Sequence, residues 1–227
     1  MSGRMSGESI RTLGYVLKRT NYGEADRILN IITPLGKISA IAKGVRREKS
    51  KLAGGVEMFS LIDFNIHQSR SGLGVITGAK MLQYRGGILE DYARMELAGK
   101  ILKEVSRAAE SSDSKEYFEV VEQGLEALDG AVDIRLVRGW FALTMLRISG
   151  EEVNLYRDVE GRKLEAGKCY EWDVGNEAFR GNDSGRYGTD EIKMLRLLAT
   201  TEMKIVKRVK IEEEMLEKVM DFVDMLE

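Results

Sequence analysis

The sequence predicts an α+β protein, a small five-stranded β-barrel followed by a helical domain that carries an inserted β-ribbon. Three observations lead there. Residues up to 84 form short β-type runs punctuated by glycine, residues beyond 84 show an apolar period of 3.6, and a glycine-rich alternating stretch at 151–188 interrupts that helical pattern.

The strand runs fall near 14–22, 27–33, 38–45, 57–67 and 72–82. Ile28, Leu29, Ile31 and Ile32 supply β-branched and apolar side chains, and Pro34-Leu35-Gly36-Lys37 is a turn signal between two runs. Five short strands in one open sheet would leave two exposed edges, so closure into a barrel is the better solution. Among five-stranded barrels the OB-fold is the one best known for binding nucleic acid. Residues 1–11, polar at the start and without an apolar core, are expected to be a flexible tail rather than a secretory signal, which sets the barrel at 12–84.

The helical domain is expected over 85–227. Leu89, Ala93, Leu97, Ile101, Val105 and Ala109 make one stripe, and Phe118, Val121, Leu125 and Leu128 a second. From Ile134 to Ile148 nearly every side is apolar, which predicts a central helix; Leu216, Val219, Met220, Val223 and Leu226 mark the last one. Thr189-Asp190-Glu191 reads as the capped, acidic start of a helix through Ala199. Within 151–188, Tyr170, Trp172 and Val174 alternate with charged residues, and Gly175-Asn176 predicts a hairpin turn.

Composition excludes several classes. Hydrophobic residues are 43% and charged residues 32%, the balance of a packed globular chain. No apolar run approaches the roughly 20 residues of a membrane span, so no membrane partner is expected. One cysteine, Cys169, permits no intrachain disulfide and no thiolate zinc cage, and one histidine, His67 in a strand run, builds neither a metal site nor a Ser/His/Asp set. Gly72-Leu73-Gly74-Val75-Ile76-Thr77-Gly78 misses the dinucleotide spacing by one residue, and Gly36-Lys37-Ile38 lacks the hydroxyl and upstream glycine of a phosphate loop. Glu151-Glu152 is an ordinary charged surface. No catalytic residues, metal or cofactor are expected.

Charge is distributed unevenly. The chain carries −2 overall, residues 1–80 carry +7 and residues 81–227 carry −9. The basic module would be drawn to phosphates. Its densest part is the inter-strand loop Lys43, Arg46, Arg47, Lys49 and Lys51, five cations and one acid in nine residues. Taken alone, such a run is more simply a solvated surface loop than a phosphate site; the +7 charge of the whole module brings the two readings level. Aromatic residues that stack on bases would come from Tyr15, Tyr22, Phe59 and Phe64; strand spacing makes most of them core, with Tyr22 the exception because it ends a run at Asn21-Tyr22-Gly23. Arg135, Arg138 and Arg147 flank Trp140 and Phe141, a pairing that suits a peptide carboxylate, though a buried helix with solvent-reaching arginines explains it more simply.

Three stretches, in order, carry a family resemblance: Tyr22-Gly23-Glu24-Ala25-Asp26, Gly36-Lys37-Ile38-Ser39 and Lys43-Gly44-Val45-Arg46-Arg47, followed by Lys49-Ser50-Lys51-Leu52-Ala53-Gly54-Gly55. Across roughly residues 12–65 the chain resembles the RecO family of bacterial DNA repair and recombination mediators; beyond 84 it shares the layout. The resemblance implies an OB-fold and a helical domain that bind single- and double-stranded DNA and anneal complementary strands. It implies binding of RecR and of the acidic C-terminal tail of single-stranded-DNA-binding protein, an indirect action on RecA, a cytoplasmic location associated with the nucleoid, and no chemical step. Its DNA contacts would fall on Lys43, Arg46, Arg47, Lys49 and Lys51, with Arg19, Arg27 and Lys37 as further cations. Many members carry a four-cysteine zinc insertion; Cys169 alone stands in that region here, so the ribbon is expected to be packed by Tyr170 and Trp172 instead of metal. Two other readings stay open: an RNA-binding or translation-associated OB module, and a scaffold whose helical domain is the working part.

Overall fold

The computed structural model describes residues 8–68, 72–109 and 115–226. They form two compact units, Met1–Gly130 and Ala131–Glu227.

The first unit is built on a closed barrel of strands β1 (Ser9–Tyr22), β2 (Asp26–Thr33), β3 (Gly36–Ala42), β4 (Ser60–His67) and β5 (Gly74–Tyr84), in the order β1-β2-β3-β5-β4. All neighbours are antiparallel except β3 and β5. This is the OB-fold. Closure depends on β1, which is long enough to pair with β4 from Ser9 to Gly14 and with β2 from Tyr15 onward. Gly14 is the pivot: a Cβ there would lie 2.6 Å from Ile31 Cγ2 and 3.0 Å from the Ile32 carbonyl oxygen. A register shift between Val16 and Lys18 then bends the strand into its second sheet partner. Val16, Leu29, Ile31, Ala40, Ile62, Phe64, Ile66 and Ile76 fill the interior. The expected tail is corrected in part: residues 9–11 are strand, because Ser9, Ile10 and Arg11 pair with His67, Ile66 and Asn65; residues 1–7 lie outside the described ones.

A short 3-10 turn, Gly86–Glu90, leads to helices α1 (Tyr92–Ala108) and α2 (Glu116–Asp129). The first stripe begins later than its apolar period implies. Asp91 caps α1 by accepting from Arg94 N at 3.0 Å, which leaves Leu89 and Ala93 exposed and starts the buried face at Leu97. Both helices belong to the barrel's unit. Tyr15 of β1 packs on Phe118 of α2 at 5.8 Å between ring centroids, and Gly87 N donates to Asp129 Oδ1 at 2.9 Å. The change from strand to helix at 84/85 and the division into compact units at 130/131 are therefore different boundaries.

The second unit holds α3 (Ile134–Ser149), the hairpin β6 (Tyr170–Asp173) and β7 (Ala178–Gly181), α4 (Thr189–Thr200), the single turn α5 (Met203–Val206) and α6 (Glu213–Asp224). Helix α3 packs against α4, α5 and α6, and its Trp140 Nε1 donates to the Thr201 carbonyl at 2.9 Å. The cap of α4 is Gly188 rather than Thr189: Glu191 reaches back to accept from Gly188 N at 3.0 Å, while Thr189 Oγ1 accepts from Gly167 N. The ribbon is where the sequence places it, and Tyr170 and Trp172 are buried in it. Phe179 sits at the centre of a ring cluster, 5.1 Å from Trp172, 5.7 Å from Phe222, 5.8 Å from Tyr187 and 6.2 Å from Tyr170. No helix among the described residues is long and apolar enough to cross a membrane.

Candidate nucleic-acid interface

The basic loop leaves the end of β3 and is fastened at both ends. At its entry Gly44 adopts φ +63°, which turns the chain, and its N–H donates to Asp26 Oδ1 at 2.7 Å. Arg46 N then donates to the Ala25 carbonyl at 2.9 Å, so the loop is stitched to the β1–β2 hairpin. Successive turns follow, with Arg47 N on the Gly44 carbonyl and Ser50 N on the Arg47 carbonyl. At its exit Glu57 takes a hydrogen bond from Arg19 Nη1 at 3.1 Å. Val45 and Val56, both buried in the barrel core, anchor the two ends, each contributing about 1.5 kcal/mol or more by burial.

What remains outside is charge. Lys43, Arg46, Arg47, Lys49 and Lys51 are all exposed, and among the described residues none of them forms an ion pair. Arg46 Nη1 also reaches the Gly23 carbonyl at 3.4 Å, a weak contact that holds its guanidinium beside the hairpin. Tyr22, on that same hairpin, is 56% exposed. A flat ring thus stands next to a row of cations, the combination that single strands need for base stacking and phosphate contact. Tyr15 and Phe64 are fully buried, and Phe59 is half-buried with φ +58°; the first two are core.

The remaining three cations differ in what they do. Arg27 pairs across the sheet with Ala42, at the root of the loop, and its Nε donates to Asn21 Oδ1 at 3.2 Å, so it belongs to the cluster. Arg19 is committed to Glu57 and acts as the loop's brace. Lys37 lies at the other end of β3, about 17 Å from the loop at the usual strand rise. Its Nζ donates to the Ser106 carbonyl at 2.8 Å near the C-terminus of α1, where a cation also meets the negative end of the helix. The sequence reading passed over Lys18, exposed and on the same face of β1 as Thr20 and Tyr22. Its signal was present in the spacing of Lys18, Thr20 and Tyr22 by twos.

Two of the three arginines that flank Trp140 are engaged with carboxylates. Arg135 bonds Asp133 and Glu213, and Arg138 bonds Asp224 at 2.5 Å. His67 Nδ1 lies 3.1 Å from Ser9 Oγ at the β1–β4 edge. Arg85, 2% exposed, donates to the Tyr15 hydroxyl at 3.1 Å. Burial raises the Tyr15 hydroxyl above the ordinary tyrosine value, and Arg85 opposes that shift. In the region of the zinc insertion the residues do not fit a four-thiolate cage: the chain has one cysteine, and the ring cluster around Phe179 fills the ribbon's interior.

A closed OB barrel with a pinned, cationic, aromatic-edged loop places the molecule among the oligonucleotide-binding-fold proteins. Two family models match nearly the whole chain, Recombination protein O N terminal over residues 5–85 and Recombination protein O C terminal over residues 89–226. The chain belongs to the recombination protein O family. It is similar to the DNA repair protein RecO of Dehalococcoides mccartyi, 25% identical over 222 residues that cover 91% of this chain and 84% of that protein. It is 33% identical to that of Rubrobacter xylanophilus over 142 residues, and the match spans 62% of this chain but only 57% of the relative's length. The Bifidobacterium longum protein is 42% identical over 101 residues, 44% of this chain and 42% of that protein.

Proposed function

We propose that this protein is a DNA repair and recombination mediator that holds DNA on the barrel by electrostatics and stacking and performs no chemical step. The observation that carries the reading is the loop of Lys43, Arg46, Arg47, Lys49 and Lys51, exposed, without ion pairs among the described residues, and stitched beside exposed Tyr22. The cations release counterions from phosphates; five such contacts on a single strand give a log–log salt slope of roughly −3.5. Neutralising two strands while their bases stay free to pair would speed annealing. Membership of the family supports RecR, the acidic tail of single-stranded-DNA-binding protein and, indirectly, RecA as partners, and a cytoplasmic site of action.

The test is fluorescence anisotropy of a labelled single strand of about 30 nucleotides, longer than one OB-fold covers, across a salt series. The comparison is with an Arg46→Ala/Arg47→Ala/Lys49→Ala variant. The expected result is a loss of affinity together with a slope shallower by about 2. Tight binding that the variant leaves unchanged would move the site off this loop, and stronger binding of RNA than of DNA of equal length would replace repair with an RNA-associated role.

A further inference from the structure

The second unit carries a groove that the DNA reading does not use. A cavity of about 610 Å³ opens between the C-terminal end of α3, the segment that follows it, the β6–β7 turn and the C-terminal end of α6. Trp172 forms part of its apolar wall, and Val174 and Met225, 63% and 42% exposed, stand at its mouth. Glu151, Glu152 and Glu177 line it, and no lysine or arginine does. Glu177 holds its carboxylate there from the left-handed region, φ +47°, which a non-glycine residue adopts at a cost. Glu152 and Glu177 form no ion pair among the described residues.

The chemistry that fits such a groove, an aliphatic side chain between two cations, is present on the same chain. In segment 203–211, Ile205 and Val209 are exposed large apolar residues among Lys204, Lys207, Arg208 and Lys210, all exposed. Arg208 and Lys210 form no ion pair among the described residues. A copy cannot fill its own groove with this segment. The segment precedes α6 and Met225 follows it, so the twelve residues of α6, about 18 Å, lie between them.

We propose that the groove of one copy receives segment 203–211 of a second copy, with Val209 entering the cavity and Arg208 and Lys210 lying against Glu152 and Glu177. The two surfaces are different patches of one molecule, so the contact is heterologous and repeats head to tail instead of closing on itself. Its ion pairs sit at an exposed rim, so salt weakens it.

The experiment is sedimentation velocity of the full-length protein over a concentration series at about 0.05 M and 0.5 M salt, with far-ultraviolet circular dichroism confirming that each variant is folded. The wild type is expected to associate at low salt and dissociate at high salt. Glu152→Lys/Glu177→Lys and Arg208→Glu/Lys210→Glu should each weaken association by about tenfold or more. An equimolar mixture of the two variants should associate again, because each supplies the charge the other now needs. A wild type that stays monomeric at low salt, variants that associate as the wild type does, or a mixture that fails to recover would each overturn the proposal. The first of these would leave the groove to a basic partner other than this chain.

Discussion

Replacing Phe179 by alanine should unfasten the second unit while leaving the barrel intact. The side chain is fully buried and touches four other rings at centroid separations of 5.1 to 6.2 Å. Removing a buried phenylalanine costs about 3–5 kcal/mol, and the edge-to-face geometry to Trp172 and Tyr187 puts the expectation at the upper end. Set against a total of roughly 5–15 kcal/mol for a domain, that is a large fraction. In a unit of this size it lowers the melting midpoint by at least about 12 °C. The assay is thermal and urea unfolding followed by tryptophan fluorescence. The chain has two tryptophans, Trp140 and Trp172, both in the second unit, so the signal reports that unit alone. Salt-dependent DNA binding measured well below the midpoint should match the wild type. A midpoint loss equivalent to less than about 1 kcal/mol, against the normal range for such a truncation, would refute the argument that the ring cluster holds the ribbon together.

Tyr22→Ala should weaken single-strand binding by about 1–3 kcal/mol with an unchanged salt slope, since it removes a stacking face and no charge; anisotropy across salt separates the two. Lys37→Met should leave that slope untouched and cost about 1.5 kcal/mol or more of stability through its lost bond to the Ser106 carbonyl, read from urea unfolding. Acid should destabilise the fold below about pH 4. The Asp158 carboxyl is pushed up by burial, but Arg162 and the backbone N–H groups of Arg162 and Glu160 outweigh that and hold it below its ordinary value. Arg11 holds Asp63 down, and Arg180 holds Asp173 down, in the same way. A carboxyl lowered in the folded state stabilises above its unfolded value, and that contribution disappears as pH falls through the folded one. Asp158→Asn should flatten the acid limb of the midpoint-against-pH curve, and an unaltered limb would show that this network is not what titrates.

The barrel was legible because its signals are local: two-residue alternation, Pro34-Leu35 before Gly36, and a cationic run from Lys43 to Lys51 between two strand runs. Its limits were harder. Ser9 and Arg11 look like a polar tail because their side chains face outward, and only pairing with β4, some fifty-five residues away, makes them strand. The apolar period of the first helix runs back to Leu89, but the backbone obeys the cap at Asp91. Among the candidate cations, Lys43 to Lys51 could be read from density of charge. What separates Lys37, Arg19, Arg135 and Arg138 from them is a partner remote in sequence: Ser106, Glu57, Glu213 and Asp224. Spacing along the chain does not encode which cation has already found an acceptor.

The stitching of the basic loop to the β1–β2 hairpin bears on kinetics as well as on position. Because Gly44 and Arg46 spend their backbone N–H groups on Asp26 and Ala25, the loop is already shaped, and under the proposed function it would meet a strand in that form. Only side-chain rotamers remain to be fixed, at roughly 0.5–1.5 kcal/mol each, with no loop-ordering term added. Association would then need no folding step and would run at the rate that charge attraction sets. Contacts made by mobile lysines and arginines on a fixed frame break one at a time, so the protein would stay mobile along the strand while it remains attached.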